Sequence, residues 1–464
     1  MLEHKKIITL LFCTLFFNLF CISSIAYGED QSASSPSSSG ESVLVLSLND
    51  ALTQALANNA GLKQSALSLQ QSARNQGAGG NQWLPSITAP SGSVSMSSQI
   101  AGTGAGMSAG DSSASWSAGA GLGFTYSPTM HTTQDNLDAT YKRQLLSYQT
   151  AVNSLKTSVA SSFYSLLADQ QNIDILQNTV NVRKGQWDDV KSLQARGFRT
   201  ELDVLIAEQA YRSAEQNLSE TESALGQAIG DFLILLGLPN TTNLSLKGDI
   251  ETRQLSLPDL QTIVNTYLAK RIDILSAENN VRISELAVKT NGLAKLPSLS
   301  LTDRLSVSGS IVSPNGQNNN PPSISNSLSV GINLPLESWL PGYPSSISEK
   351  NNKDALQSSQ IALDAAKKEA EQDIIKQIAT LEQAARRITA GELSLSISKR
   401  TNELSEQQYN AGLLSARDLQ DSRDSYLQAQ QTQLQNRVAY INAVYALATA
   451  LNIEVKELYT QYGN

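Results

Sequence analysis

Few residues in this chain could do chemistry. Both cysteines, Cys13 and Cys21, and one of the two histidines, His4, lie in the first 21 residues, so the remainder has no thiol and one imidazole, His131. A zinc cluster or a Cys-His pair is thereby excluded from that remainder, and a Ser-His-Asp triad would depend on a single ring. His131 follows Pro128 closely and reads as a polar interface residue. Gly102, Gly104 and Gly106 lack the G-x-G-x-x-G spacing of a nucleotide loop. Asp188, Asp189, Glu369 and Glu371 read as solvated faces of long helices. One carboxylate pair stands apart: Asp418 and Asp421 follow Gly412 by six and nine residues, which puts them about one turn apart on one helix face. Neighbouring carboxylates attract cations and repel each other. The chain is therefore expected not to be an enzyme and to need no cofactor or metal.

Composition narrows the partners. The 464 residues carry 34 Lys plus Arg against 42 Asp plus Glu, net -8, with a pI near 5.0. No basic surface is available to neutralise phosphates, so nucleic acid is not an expected partner. Lys5 and Lys6 precede an apolar run from Ile7 to Ile25, and Ala26 and Gly28 supply small residues before a cut ahead of Glu29. That is the pattern of a secretory signal; an uncleaved anchor is the other reading, since the run approaches the ~20 residues that span a bilayer. Phe12 and Phe20 precede the two cysteines, which disfavours lipidation. Beyond it no segment reads as a transmembrane helix, so any membrane passage falls to strands.

The elements that must position Asp418 and Asp421 are repeated. Leu84-Pro85-Ser86-Ile87 recurs as Leu296-Pro297-Ser298-Leu299, and Gly197, Asp203, Tyr211 and Ala214 recur as Gly412, Asp418, Tyr426 and Ala429. A period near 212 is duplication of a domain-sized unit rather than a solenoid repeat. The expected layout is a signal peptide over 1–28, a Ser-rich linker over 29–42, repeat 1 over 43–240, a connector over 241–256, repeat 2 over 257–453 and a C-terminal tail over 454–464. Each repeat reads as helix, two strands, very long helix, medium helix.

In the long helices, Tyr148, Val152, Leu155, Val159, Ser162, Leu166, Asp169, Ile173, Leu176 and Val180 step by threes and fours and are mostly apolar, as are Val204, Ala207, Tyr211, Ala214, Leu218, Thr221 and Leu225. This is a coiled-coil seam. Helices are expected over 131–196 and 200–237, then 345–411 and 415–452, with turns at Gly197 and Gly412. The first pair would be ~96 and ~55 Å long, so an early helix over about 48–80 is expected to complete the length end to end. The turns carry Ala195, Arg196, Gly197, Phe198 and Arg199 in one repeat and Ala411, Gly412, Leu413 and Leu414 in the other. Their apolar residues either staple each hairpin or dock a partner's helices.

Strands are expected over about 86–100, 114–127, 298–311 and 326–336, with Gly, Ser and Asn-rich loops over 101–114 and 312–325. Trp116, Ala118, Ala120, Leu122, Phe124 and Tyr126 alternate with Ser, Gly and Thr, and Leu299, Leu301, Leu305 and Val307 do likewise. In the first strand the apolar parity changes, which predicts a bulge at Pro90 to Gly92. Period two with one apolar and one small polar face suits a lipid-facing barrel with a wet interior, or else a soluble sandwich. Four strands cannot close a barrel, so the membrane reading requires an oligomer.

Two copies of this order, with Leu48-Asn49-Asp50-Ala51-Leu52, Ala55 to Asn59, Leu84-Pro85, Gly197 to Leu205 and Leu235-Leu236-Gly237-Leu238-Pro239, resemble the outer-membrane efflux protein family typified by TolC. The resemblance covers Val43 to Ile453. It implies a mainly α protein with a transmembrane β part: a homotrimer whose protomers each give four strands to a 12-stranded barrel, continued by a helical α-barrel into the periplasm. It implies an exit duct in the bacterial outer membrane, surrounded by outer-membrane lipid. Its partners would be a periplasmic adaptor and an inner-membrane pump of a tripartite efflux or type I secretion system. It also implies that the two tips dock the adaptor. Tyr409, Gly412, Asp418 and Asp421 match the family's entrance pattern, so the two aspartates would form carboxylate rings at the periplasmic aperture. Some members latch the closed state with Arg two residues after the glycine; here that place is Leu414, and Arg199 holds it in the first repeat. The alternative function is a non-conducting coiled-coil envelope scaffold or adhesin. Mass spectrometry of membrane-extracted protein is expected to return a chain beginning at Glu29; an intact N-terminus, or a lipid on Cys21, would contradict the signal reading.

Overall fold

The structure, a computed structural model, describes residues 44–103, 106–312 and 321–463. The expected signal peptide and linker lie outside the described residues. Strand β1 (Leu44–Leu46) leads into α1 (Leu48–Asn58) and α2 (Ala60–Gly77). Strands β2 (Ser86–Thr103) and β3 (Gly106–Tyr126) precede the 66-residue α3 (Met130–Ala195) and α4 (Glu201–Leu236). After β4 (Leu244–Leu246) the order returns: α5 (Leu260–Tyr267), α6 (Ile272–Leu293), β5 (Ser298–Val312), β6 (Ser323–Asn333), the 67-residue α7 (Pro344–Asn410), α8 (Ala416–Leu451) and α9 (Val455–Tyr462).

The early helix is two helices, not one over 48–80. Asn59 leaves helical geometry, its side-chain Oδ1 accepts from Leu62 N–H at 2.9 Å to start α2, and its side-chain Nδ2 donates to Leu235 O at 2.9 Å. The break falls where α4 ends at Gly237, whose φ of 72° suits glycine and where a Cβ would lie 2.5 Å from Asn58 O. Thus α2 and α4 both pack on α3, and α6 and α8 both pack on α7. Two shorter helices complete each long one, because an apolar stripe ~100 Å long must be covered along its length.

The core sits where the repeats meet. Phe163, Leu166, Phe232 and Leu236 close over Ala51 and Ala55 of α1 and over Leu46 and Leu246, while β1 and β4 pair in parallel. The second cluster joins Ile374, Ile378 and Leu381 of α7 to Tyr440, Val444, Leu447 and Leu451 of α8 and to Ile263 of α5. The segment after 453 is not a loose tail: Leu458 of α9 is fully buried, Ser256 N–H donates to Tyr462 O at 2.8 Å, and Tyr267 OH donates to Gln461 Oε1 at 2.8 Å. Its apolar residues fill the cluster that the short α5 leaves uncovered.

One antiparallel sheet carries the strands in the order β2-β3-β5-β6. Thr88 pairs with Gly121 and Ser91 with Gly119, so Ala89 and Pro90 together oppose Ala120. This is a bulge, one step before the expected Pro90–Gly92, and proline's missing N–H is harmless there. Of the expected loop over 101–114, residues 101–103 and 106–114 are strand instead, 104 and 105 lying outside the described residues: Thr103 pairs with Gly106 and Ile100 with Ala109, so these strands satisfy each other's backbone although their residues are small. On one face Tyr126, Leu299 and Ile332 form a cross-strand row, and Phe124, Leu301 and Val330 the next; on the other, Ser93 meets Ser117 at 2.9 Å and Ser306 meets Ser325 at 2.8 Å. No single helix among the described residues is long and apolar enough to cross a membrane.

Where sheet passes into helix, Glu349 of α7 accepts from Lys295 and from Lys353, and Lys295 Nζ also sits 5.6 Å from the centre of the Trp339 ring. Hydrogen bonds from the two ammonium groups, Lys295 first, lower Glu349 from 4.5 to about 2. A depressed carboxylate stabilises the fold above its unfolded value and loses that contribution as pH falls. The difference in thermal unfolding temperature between the unmodified protein and Glu349→Gln is expected to be full at pH 7, to shrink below pH 4.5 and to vanish near pH 2. An equal difference at pH 7 and pH 2 would contradict it.

Candidate functional site

The two hairpin tips are built by the same local chemistry. At the first, Phe198 N–H donates to Leu193 O and Gly197 N–H to Gln194 O, both at 2.9 Å, with Gly197 at φ 81°. At the second, Leu413 N–H donates to Gln408 O and Gly412 N–H to Tyr409 O, again at 2.9 Å, with φ 76° at Gly412. Both are Schellman closures, which require a left-handed residue and so favour glycine. Each next helix is then capped: Thr200 exchanges hydrogen bonds with Asp203, and Ser415 accepts from Asp418 N–H at 3.2 Å and donates to Asp418 Oδ2 at 2.6 Å. Hydrogen bonds from the Thr200 backbone and hydroxyl hold the Asp203 carboxyl below its ordinary value.

This geometry throws the apolar tip residues outward. Phe198 is 75% and Leu413 80% exposed, because the turn leaves each just past the last carbonyl with no helix beside it. Leu414 is half-buried, and Ala195, Arg196, Gly197, Ala411 and Gly412 are exposed. Arg196 is turned back onto its own helix, donating to Ser192 O at 3.2 Å and Ser192 Oγ at 3.1 Å.

Asp418 and Asp421 are both exposed on α8. Asp418 is also tied to the N-cap of that helix, Ser415, from three residues on, as its counterpart Asp203 is tied to the N-cap Thr200. Three residues beyond Asp421, Asp424 accepts from Arg183 of α3, a guanidinium only 6% exposed. Burial lowers the pKa of Arg183, and Asp424 works against that shift. Beside it, Arg423 gives two hydrogen bonds, at 2.7 and 3.1 Å, to Glu406 of α7. Between the hairpins the Arg199 guanidinium lies 5.3 Å from the centre of the Tyr409 ring. The structure thus brings Tyr409 and Arg199 together across the two repeats.

Sequence reading missed the polar layer above the tips. Arg183 occupies the next step of the α3 seam after Leu176 and Val180, followed by Trp187 and Val190, so an arginine at a seam position was the available signal. Cavities of about 410 and 430 Å³ flank this layer, both lined by Arg183, Glu406 and Arg423. Arg423 Nη1, Asn402 Oδ1, Ser422 Oγ and Trp187 Nε1 are buried there without a hydrogen-bond partner among the described residues. Orphaned polar atoms make a helix seam weak compared with the packed Ile374–Leu451 layer. His131 lies elsewhere, at the base of the sheet, with Nε2 3.3 Å from Tyr126 OH and its ring edge-on to Trp83. No group of metal-ligating side chains is found among the described residues.

The described chain thus joins duplicated helical hairpins to a two-faced four-stranded sheet. The sequence profile described as Outer membrane efflux protein matches residues 51–237 and 263–452, and the chain belongs to that family. Among solved structures, the Campylobacter jejuni CmeC outer membrane channel is similar with TM-score 0.73 and 17% identity, over 89% of this chain and 88% of that one. A membrane protein from Pseudomonas aeruginosa gives 0.72 and 17%, over 87% and 93%. The open state of the Neisseria gonorrhoeae MtrE outer membrane channel gives 0.69 and 19%, over 88% and 89%. At these identities the structures share the fold.

A cation-π contact at a half-exposed site is worth about 0.5–1 kcal/mol. Amides of the α7–α8 turn are therefore expected to exchange with solvent roughly two to five times faster in Arg199→Ala than in the unmodified protein. Unchanged exchange would show that the two tips are not held together by this contact.

Proposed function

We propose that three copies of this chain form an exit duct in the bacterial outer membrane. Each protomer gives β2, β3, β5 and β6 to a 12-stranded barrel, and the paired hairpins continue it as a tunnel through the periplasm. The duct passes substrates handed on by an inner-membrane pump and a periplasmic adaptor, in tripartite efflux or type I secretion. The observation that carries this reading is the sheet: leucine-rich on one face, hydroxyl-lined on the other, with β2 and β6 as open edges. A lipid-exposed edge leaves backbone groups unsatisfied, and closure with neighbouring copies is the remedy.

In this reading Phe198 and Leu413, with Ala195, Arg196, Gly197, Arg199, Ala411, Gly412 and Leu414 around them, form the adaptor-docking surface. Asp418 and Asp421 line the periplasmic aperture, three-fold symmetry turning each into a carboxylate ring. Tyr409 and Arg199 take the place of the latch that Leu414 cannot supply. The weak polar layer at Arg183 and Arg423 supports a lower tunnel that rearranges while the upper packing holds.

Purified protein in planar bilayers is expected to give single-channel steps, and native mass measurement in mild detergent a trimer. A monomer without conductance would favour the scaffold or adhesin reading. Asp418→Ala with Asp421→Ala is expected to raise the concentration of hexammine cation needed for periplasmic-side block by about tenfold or more, assembly unchanged; because the Asp418 carboxylate also accepts from the N-cap Ser415 of α8, Asp421→Ala alone must show part of the effect. Block at the original concentration would place the aperture elsewhere. Phe198→Asp and Leu413→Asp are expected to abolish cross-linking to the adaptor and leave the trimer intact, since a charge would be buried at the contact. Normal cross-linking would make the tips structural only.

A further inference from the structure

The polar face of the sheet holds one charge that neither the tips nor the packing uses. Over 86–95 in β2, 115–125 in β3, 298–310 in β5 and 323–333 in β6, the positions on that face are Ser, Thr, Gly and Asn except for Arg304. It stands in the cross-strand row Thr88–Gly121–Arg304–Ser327. Its side chain is exposed and makes no ion pair among the described residues. The adjacent Asp303 falls on the opposite, apolar face by strand alternation, in the row of Leu122 and Leu328, so it cannot neutralise the guanidinium.

The neighbouring strand makes room for this arginine. A Cβ on Gly119 would lie 3.6 Å from Arg304 Nε, and one on Gly121 would lie 3.7 Å from Arg304 Cβ. Both glycines oppose β5 directly, at Ser306 and Arg304. The arginine stem therefore runs beside bare glycine backbone, where added Cβ atoms would crowd Leu305 O at 3.1 Å and Asp303 O at 2.9 Å, and hydroxyls of Thr88, Ser91, Ser306 and Ser327 occupy the surrounding positions of the polar face. A guanidinium offers a planar fork to carboxylate and phosphate, and low-dielectric walls around a tube focus its field.

We propose that Arg304, repeated by each protomer, forms an anion-coordinating ring within the barrel, which binds carboxylate, phosphate or sulfate groups on molecules in transit. This rests on the exit-duct reading. It puts a cationic station in series with the carboxylate aperture at the other end of the duct, so that anionic cargo, once past the aperture, is drawn into the barrel rather than repelled by it.

The test is current block by pyrophosphate added from the barrel side of single channels at low ionic strength, where the Debye length exceeds ~10 Å and screening is weak. Unmodified channels are expected to be blocked, with relief by added salt. Arg304→Gln is expected to need at least about tenfold more pyrophosphate, and Arg304→Lys to fall between, since charge is kept and the fork lost. Channels that conduct normally but ignore pyrophosphate, or that are blocked equally in Arg304→Gln, overturn this inference and leave the duct standing. A protein that does not conduct at all overturns the duct and this inference with it.

Discussion

The backbone of an unclosed sheet is the constraint on which the rest depends. In β2-β3-β5-β6 the outer edges of β2 and β6 carry N–H and C=O groups with no partner inside the protomer. In water those groups would be solvated; in hydrocarbon each would be a penalty of several kcal/mol. The faces of the same sheet suit the hydrocarbon of the proposed barrel: Ile324, Leu328, Val330 and Ile332 alternate with serine and glycine along β6, with all four apolar side chains exposed. In the proposed duct, a surface with lipid on one side and water on the other, and two edges still open, is completed by copies of itself.

The helices extend the same logic below the sheet. Each 66- or 67-residue helix has an apolar stripe longer than any single partner, and the chain covers it with two shorter helices placed end to end. Packing is tightest in the middle, where Phe163, Phe232, Leu447 and Leu451 are almost wholly buried. Towards the tips the seam turns polar, with Arg183 and Arg423 paired to carboxylates and several buried polar atoms left without partners. The tip end, where the proposal puts opening and docking, is the end least committed by packing.

Much of this was legible in the sequence because the signals were periodic and doubled. The 3-and-4 stepping from Leu155 to Val180, the glycines at 197 and 412, and the alternation from Trp116 to Tyr126 each state an element's type. What was missed depends on contacts between distant segments. The break at Asn59 is set by α4 ending against it, the fold of the last residues by a gap beside α5, and the pairing of Arg199 with Tyr409 by the approach of two hairpins. The strands over 101–103 and 106–114 were hidden because small residues read as loop, whereas hairpin hydrogen bonding needs no particular side chain. Asp418 was legible as a carboxylate near a turn; that it also bonds the cap of α8 follows from Ser415, the N-cap, three residues earlier.

Closure between copies is open to direct measurement. No cysteine lies among the described residues, so thiols can be placed one at each edge, in β2 between 91 and 95 and in β6 between 323 and 329, and scanned for register. Within one protomer β2 and β6 are three strand spacings apart, roughly 14 Å, beyond the ~7 Å that a disulfide can bridge. Oxidation of outer membranes is therefore expected to give covalently linked dimers and trimers at one register and no larger ladder. Thiols that stay reduced at every register, or a ladder that runs past three, would contradict a barrel closed by three copies of this chain.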